Sequence, residues 1–411
     1  FIICTLCVLS CQQNNKVPVP DDNWALFDSV AANPLSIQYR NWLEGVFTIE
    51  ENQEFGPLAA LKWSYTLNGR DSIYHLSMFC EKDMAYFICE GRKLHDKVLL
   101  NGYWRKMDND KTGKARFEVS FINEHKITID GSYGYDDDIP NQNIRLSYLR
   151  PLYKKTPVEI VAHRGGGRNT DFLPASENSI ELILEAARFG ATGVEIDVQL
   201  TKDSIPVLYH DANINDRLTE KNGVHGTIGD YSFAELKEIQ LKKGEQIPTL
   251  RDALDSIIHK TPLQFIWLDA KEKNSLTQLR KLQREFTSVA AANGRKIEIT
   301  IGIHDKKVFN AFKLLADYRN IPSACELDPE DVTDINARIW APLWIHGLQQ
   351  EEVAAMHSQG RKAFVWTLDQ PKKIREFIAE GNYDGIVSNY PSIVAYYHYT
   401  TEDETATAIR Y

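Results

Sequence analysis

Two acidic side chains at alternate positions of a predicted strand are the groups in this chain best suited to chemistry. Glu195 and Asp197 lie in the run GVEIDV, whose intervening residues are all apolar. Because residues i and i+2 of a strand share a face, both carboxylates point to the same side. Two buried carboxylates need compensating positive charge. The pattern predicts either a site for one hard divalent cation or an internal salt bridge to Arg164 or Lys271.

Other polar groups follow predicted strands in the same way. His163 and Arg164 open the run HRGGG, where glycines let backbone N–H groups approach an anion and the guanidinium can form two hydrogen bonds with it. Asp269 and Lys271 repeat the i, i+2 spacing at the end of QFIWLDAK, and His210 ends PVLYH. Taken alone, HRGGG could be a sharp turn. Two histidines beside three carboxylates, an arginine and a lysine indicate an active site.

The elements that would position these residues are strands that alternate with amphipathic helices across residues 157–400. Strands are predicted to begin near residues 158, 193, 206, 264, 297, 323, 337, 362 and 384. Helices are predicted near 177–189, 249–259, 276–293, 306–317, 349–359 and 371–380. This repetition predicts a parallel sheet, and the length is close to the roughly 250 residues of a TIM (β/α)₈ barrel. A doubly wound open sheet is the alternative. Barrel enzymes build their active sites at the carboxyl ends of the strands.

Residues 24–153 have a different pattern, in which short runs of alternating apolar and polar residues are separated by turn residues. Seven or eight such runs predict an all-β domain, either an antiparallel β-barrel or a sandwich. Asn68 and Gly69 predict a tight hairpin between two of the strands. The sequence assigns no role to this domain. Cys80 and Cys89 lie within it, either paired or as free buried thiols.

The first residues are predicted to serve export rather than the fold. Residues 1–10 are a short apolar run typical of a signal-peptide remnant, and residues 11–23 form a polar tether. The sequence VLSC ends at Cys11 and is similar to a bacterial lipobox, in which the cysteine carries the lipid. We therefore expect a lipid-anchored protein of the bacterial cell envelope, with the membrane surface as a partner. An ordinary secretory peptide is the alternative.

The charge composition of the chain argues against one class of function, the binding of nucleic acid. The chain has 411 residues and a formal net charge of -10, from 47 basic and 57 acidic side chains. A nucleic-acid-binding protein usually shows a basic excess or a dense basic stripe, and this sequence has neither. Nucleic acid is therefore not an expected partner, and protein partners are not indicated.

Several motifs together resemble the glycerophosphodiester phosphodiesterase family over about residues 157–397. They are HRGG at 163, SENS at 176, GVEIDVQLTKDSIPVLYHD at 193–211, LDAK at 268, VWTLD at 365 and DGIVSNYP at 384. The resemblance implies a TIM barrel that hydrolyses glycerophosphodiesters to glycerol 3-phosphate and an alcohol with one divalent cation, Ca²⁺ or Mg²⁺. Two features depart from the family pattern. Asp269 stands where the family usually has a glutamate, and the proline that normally precedes Glu177 directly is here Pro174.

The resemblance also implies roles for individual residues. It makes His163 and His210 the acid and base, without deciding which is which. The implied metal ligands are Glu195, Asp197 and Asp269, the implied phosphate-binding groups are Arg164 and Lys271, and the implied supporting residues are Glu177 and Trp366. From the residues alone, Ser176 and Glu177 could simply cap a helix. Two other functions stay open, namely phospholipase D-type cleavage of lysophospholipid or sphingomyelin headgroups, and non-catalytic binding of phospholipid headgroups.

Overall fold

A computed structural model of the chain describes residues 24–50, 54–68, 71–152 and 157–401. The predicted signal peptide, the tether and Cys11 lie outside the described residues. Within these ranges, no helix combines the length and the apolar character needed to cross a membrane.

The first domain is a closed antiparallel β-barrel, which decides between the barrel and the sandwich. Its elements are β1 (Asn33–Pro34), α1 (Ile37–Leu43), β2 (Gly45–Glu50), β3 (Leu58–Asn68), β4 (Asp71–Cys80), β5 (Tyr86–Leu94), β6 (Lys97–Arg105), β7 (Thr112–Asn123), β8 (Lys126–Tyr133) and β9 (Gln142–Arg150). Strands β2 to β9 pair in chain order, β9 returns to β2, and β1 adds to β5. Closure leaves none of the eight barrel strands with a free edge.

The barrel interior is filled by the apolar halves of the alternating strands. The predicted hairpin is confirmed, because Asn68 pairs with Asp71, although its turn residues lie outside the described ranges. The core holds large buried side chains such as Phe47, Phe87 and Trp104. Cys80 and Cys89 are free and buried, so the disulfide alternative is wrong. Burial raises the pKa of both thiols.

The second domain is a closed barrel of eight parallel strands, which excludes the open sheet. Its strands are β10 (Glu159–Ala162), β11 (Gly193–Leu200), β12 (Pro206–Leu208), β13 (Phe265–Ala270), β14 (Glu298–Ile303), β15 (Ser323–Cys325), β16 (Ile339–Trp340), β17 (Lys362–Val365) and β18 (Gly385–Ser388). Strand β10 pairs with both β11 and β18, which closes the sheet. The predicted strand near 206 is β12, which pairs antiparallel with β11 outside the ring of eight.

Helices cover the outside of this barrel. They are α2 (Ile180–Glu185), α3 (Phe233–Leu236), α4 (Leu250–Lys260), α5 (Leu276–Ala292), α6 (Lys306–Phe312), α7 (Pro329–Ile335), α8 (Gln350–Ser358), α9 (Pro371–Glu380) and α10 (Pro391–Thr400). The helix predicted from 177 begins later, because Ser179 is its N-cap and accepts a hydrogen bond from the Leu182 backbone. Glu177 therefore lies in the preceding loop and does not cap the helix.

The two barrels pack against each other through an apolar interface. Side chains on the outer face of the first barrel, including Phe79 and Tyr86, join the same buried core as Phe189 and helix α10. The rings of Tyr86 and Phe189 lie 5.3 Å apart. The Arg150 guanidinium donates to the Thr400 carbonyl across the boundary at 2.6 Å. Such a shared core favours a fixed relative placement of the two barrels.

Candidate active site

Three carboxylates meet inside the carboxyl end of the second barrel. Glu195, Asp197 and Asp269 are buried, and one oxygen of each lies within 4.8 Å of the others. The strand register explains the cluster, because Asp197 pairs directly with Asp269 across β11 and β13. The prediction that Glu195 and Asp197 share the inner face is confirmed. Asp197 is further held by Asn178, whose amide donates to Oδ2 at 2.6 Å and accepts from the Asp197 backbone at 3.0 Å.

Lys271 is the cation that lies within the acidic cluster. Its Nζ is 2.7 Å from Asp197 Oδ1 and 2.5 Å from Asp269 Oδ2, so the salt bridge considered from the sequence is present. One ammonium cannot neutralise three carboxylates. Burial, and then the charges of Asp197 and Asp269, raise the pKa of Glu195 well above its usual value.

The excess negative charge of this cluster suits a divalent cation. The three carboxylates carry more negative charge than the neighbouring side chains balance, and they offer the oxygen ligands that Ca²⁺ and Mg²⁺ prefer. Asp269 reaches the cluster despite its shorter side chain, because its register places it opposite Asp197. The departure from glutamate at this position therefore does not remove the third ligand.

His163 lies beside the acidic cluster, and Asn389 fixes its ring on the side away from that cluster. Its Nδ1 is 2.7 Å from Asn389 Oδ1, and its Nε2 is 3.8 Å from Glu195 Oε2. The amide of Asn389 donates in turn to Asp369 at 2.6 Å, which fixes the oxygen toward the imidazole. His163 therefore carries its proton on Nδ1, leaving Nε2 with a lone pair. Burial, and then the charge of Arg164, lower its pKa to about 4.

Arg164 connects the acidic cluster to the second histidine. Its backbone is left-handed, with φ of 53°, and the N–H donates to Glu195 Oε2 at 2.8 Å. A non-glycine residue in this region carries backbone strain, which is common at functional sites. The guanidinium lies 2.8 Å from His210 Nε2 and donates to Glu177 at 2.7 Å. His210 Nδ1 lies 2.7 Å from Asp211 Oδ1.

Arg217 is a supporting residue that the sequence did not reveal. Its guanidinium contacts Asp211 at 2.6 and 3.0 Å and Glu177 at 3.0 and 3.2 Å. Asp211 orients His210, and Glu177 orients Arg164, so Arg217 fixes the partners of two site residues at once. The arginine lies seven residues after His210, in a loop without regular periodicity.

We expect Arg217→Gln to lower kcat by about 10- to 100-fold with a smaller change in KM, because substituting it loosens groups that act in the transition state. Arg217→Lys should restore part of the loss, since one cation would still lie between the two carboxylates. Steady-state kinetics check this expectation. Arg251→Gln is the control, because Arg251 makes a similar two-bond pair with Glu285 on an exposed surface. Equal kinetics for the two glutamine variants would contradict a positioning role.

Most of the predicted site residues line one cavity of about 360 Å³, together with residues that were not predicted. Its walls are His163, Arg164, Glu195, His210, Trp267, Asp269, Lys271, His304, Glu326, Trp366, Thr367 and Val387. The predicted residues Asp197 and Glu177 lie behind this wall and contact it through Lys271 and Arg164. The indole N–H of Trp366 donates to the Ala341 carbonyl at 2.9 Å, which fixes the ring.

Several residues of the site were not singled out from the sequence. His304 directly follows β14, with Nδ1 3.5 Å from Asp269 Oδ1, and Glu326 directly follows β15. Asp369 and Asn389 were quoted only within the motifs VWTLD and DGIVSNYP. Their position after predicted barrel strands was the available signal.

Comparison with known proteins agrees with this geometry. The model of the glycerophosphoryl diester phosphodiesterase family matches residues 163–393. Human glycerophosphodiester phosphodiesterase 1 is 33% identical over 147 residues, which are 34% of this chain and 42% of the human protein. The chain thus matches less than half the length of this curated relative.

Two bacterial proteins match over more of their length. The glycerophosphodiester phosphodiesterase of Caldanaerobacter subterraneus is 26% identical over 243 residues, 56% of this chain and 94% of that protein. A crystal structure of a glycerophosphodiester phosphodiesterase from Parabacteroides distasonis is 23% identical, with a TM-score of 0.48, and covers 60% of this chain and 98% of that one. Because the family model extends over more than half of the 411 residues and begins at His163, this chain belongs to the glycerophosphoryl diester phosphodiesterase family.

Proposed function

We propose that this protein hydrolyses glycerophosphodiesters to glycerol 3-phosphate and an alcohol, with one divalent cation, Ca²⁺ or Mg²⁺, held by Glu195, Asp197 and Asp269. The observation that carries the proposal is a cluster of three carboxylates, two of which line the same cavity as two imidazoles that neighbouring side chains orient. Hydrolysis of a phosphodiester needs charge neutralisation at phosphorus and proton transfer on both sides of it. The cavity offers groups for both tasks.

Positive charge around the phosphate comes from two side chains and the cation. A divalent cation bound by the carboxylates would supply positive charge to the nonbridging oxygens and polarise the phosphorus centre. Arg164 presents its guanidinium at the cavity wall, where Glu177 holds it. Lys271 stays protonated because, although burial opposes its charge, Asp197 and Asp269 raise its pKa. Both side chains are therefore cations that can bind the phosphate oxygens.

The two imidazoles divide the proton transfers between them. His163 is neutral near pH 7 and keeps a lone pair on Nε2, so it suits the general base that deprotonates water or the glycerol 2-hydroxyl. His210 turns Nδ1 toward Asp211, and its Nε2 accepts a hydrogen bond from the Arg164 guanidinium, so the ring carries its proton on Nδ1. With His163 as the base, we assign the proton transfer to the departing alkoxide to His210, whose Nε2 would take up a proton once the phosphate draws the Arg164 guanidinium away.

The pH dependence of kcat/KM should reflect this assignment. A base must be unprotonated to act, so the acid limb of the profile rises with pH through the pKa of His163. Because burial and Arg164 lower that pKa to about 4, we expect the acid limb to lie well below the ordinary imidazole range near 6.5. Initial rates from pH 3.5 to 8 at saturating metal would measure it. An acid limb near or above pH 6.5 would contradict the assignment of His163.

A panel assay tests the function itself. Purified protein should release glycerol 3-phosphate from soluble glycerophosphodiesters, lose that activity in EDTA and regain it with added Ca²⁺ or Mg²⁺. Comparing the two ions in the same assay identifies the preferred one. Headgroup release from micellar lysophospholipid or sphingomyelin, without hydrolysis of soluble diesters, would favour the phospholipase D-type alternative. Binding of headgroups without turnover in either assay would favour a non-catalytic lipoprotein.

We also propose that the protein is exported and lipid-anchored through Cys11 in the bacterial cell envelope. The support is the sequence VLSC at the end of an apolar run. Labelling of cells with a radioactive fatty acid should mark the protein, and Cys11→Ala should lose the label. Equal labelling of both forms would contradict the anchor.

A further inference from the structure

One guanidinium is buried between the two barrels without a hydrogen-bond partner. Arg105, the last residue of β6, pairs directly with Tyr86 of β5, and residues that lie opposite each other in such a pair share a face of the sheet. Because Tyr86 belongs to the core that joins the barrels, Arg105 also faces the second barrel. Arg105 is 1% exposed, yet its Nε and Nη1 have no hydrogen-bond partner among the described residues.

In the part of the chain that is described, no carboxylate forms an ion pair with this guanidinium. Glu185, at the end of α2, is held by two hydrogen bonds from Arg188 at 2.7 and 2.9 Å. Asp110 is an exposed acid whose charge acts on Arg105 without pairing with it. Burial lowers the pKa of Arg105, and the weaker effect of Asp110 does not reverse this. A buried charge without a partner is costly, so the position calls for an anion.

Two neighbouring side chains add further donors beside Arg105. The Tyr86 hydroxyl is buried and, within the described ranges, has no hydrogen-bond partner. The Lys243 ammonium donates to the Leu173 carbonyl at 2.6 Å, and no described carboxylate forms an ion pair with it. Burial, and then the charge of Arg105, lower the pKa of Lys243 to about 8. This lowering is the effect expected of two cations that lie close together.

These donors are held in place by the fold. Arg105 and Tyr86 lie on paired strands of the first barrel. Lys243 lies on a loop of the second barrel, where its backbone N–H donates to Ser176 Oγ at 2.9 Å. The Ser176 backbone N–H donates in turn to Glu245 Oε1 at 3.0 Å, which ties the loop down a second time. Groups fixed before a ligand arrives lose little conformational freedom when it binds, so the arrangement favours binding.

We propose that Arg105, Lys243 and the Tyr86 hydroxyl form a binding site for phosphate between the two barrels, either as the free ion or as a phosphomonoester. A phosphomonoester carries a charge of roughly −1.5 to −2 near pH 7, which matches two cations, and its oxygens accept several hydrogen bonds at once. A carboxylate would offer one charge and two oxygens. None of the three residues lines the catalytic cavity, so this site is separate from it and does not depend on the proposed function.

Thermal unfolding of the whole chain, loaded with Mg²⁺, tests the site. Saturating inorganic phosphate should raise the unfolding midpoint of the wild type by about 2 to 5 °C more than that of Arg105→Met. Phosphate bound in the catalytic cavity would stabilise both proteins alike, so the difference reports on Arg105. Arg105→Lys should keep part of the rise. Lys242→Met is the matched control for Lys243→Met, because Lys242 is the exposed neighbour on the same loop, and it should respond as the wild type does.

Repeating the measurement with glycerol 3-phosphate separates the monoester from the free ion, since the preferred ligand gives the larger rise that depends on Arg105. Without either compound, Arg105→Met should be at least as stable as the wild type, because it removes an unpaired buried charge. Equal rises for the wild type and Arg105→Met with both compounds would overturn the site. If Arg105→Met does not fold, Lys243→Met serves for the same comparison, because Lys243 is only partly buried.

Discussion

Replacing His163 or His210 with alanine is expected to lower kcat for glycerophosphodiester hydrolysis by roughly 10³-fold or more, since each removes one proton transfer. The two losses have different structural origins. His163 provides the free Nε2 lone pair that Asn389 secures, and His210 provides the second imidazole, which Asp211 orients. Because the two groups act in one transition state, the double variant should lose much less than the product of the single losses.

The fold should survive both substitutions, because each imidazole lines a cavity and is not part of a packed apolar core. Circular dichroism and the thermal unfolding midpoint would confirm this. His259→Ala, on the exposed side of α4, is the control and should keep wild-type kinetics. Near-normal turnover by either site variant would refute the acid and base assignment.

Asp197→Asn is expected to weaken binding of Ca²⁺ or Mn²⁺ by at least about 100-fold and to lower kcat by a similar factor or more. Asp197 is wholly buried, receives the Asn178 amide and contacts Lys271, so its position among the ligands is the most constrained of the three. The asparagine variant removes the negative charge and keeps the size of the side chain. Isothermal titration calorimetry of metal-free protein measures the affinity directly.

Asp255→Asn provides the matched control for that substitution, because Asp255 is an exposed aspartate of α4. It should bind the ion as the wild type does. If Asp197→Asn also kept its affinity, the ion would not be held by this cluster. If it lost activity while keeping affinity, Asp197 would serve only to position Lys271.

The strand pattern allowed much of the catalytic domain to be predicted from the sequence. The i, i+2 spacing of Glu195 and Asp197 fixed their common face, and the repeat of strand and helix fixed the barrel. Strand β12 was harder, because a short apolar run has the same pattern whether it lies in the parallel ring or in a hairpin arm. Only the long-range pairing of β11 with β13 determines which strands close the ring.

The supporting residues Arg217 and Asn389 could not be predicted either, because their contacts are also long-range. Arg217 contacts Glu177 across 40 residues of chain, and Asn389 contacts His163 across 226. Neither contact leaves a periodic signal in the sequence, since both are made by loops that the barrel brings together. The capping explanation for Glu177 was wrong for the same reason, because its carboxylate is held by Arg164 and Arg217 and not by a helix end.

The first barrel shows a different limit of sequence reasoning. Alternation predicted its strands, but a strand that buries one face in its own core and the other against a neighbouring domain has no distinguishing pattern. Phe79 and Tyr86 illustrate this, because they point outward from the first barrel into the core shared with α10. Their burial follows from the domain interface and not from the strand itself.

Anomalous diffraction from crystals grown with Mn²⁺ tests the central claim most directly. We predict one strong peak in the second barrel, within about 2.0 to 2.6 Å of an oxygen from each of Glu195, Asp197 and Asp269. The Lys271 ammonium should then withdraw from at least one of its two carboxylate partners, because the ion takes over those oxygens. Absence of a peak at saturating Mn²⁺, or a peak away from the three carboxylates with Lys271 still bridging Asp197 and Asp269, would contradict a metal-dependent site at this position.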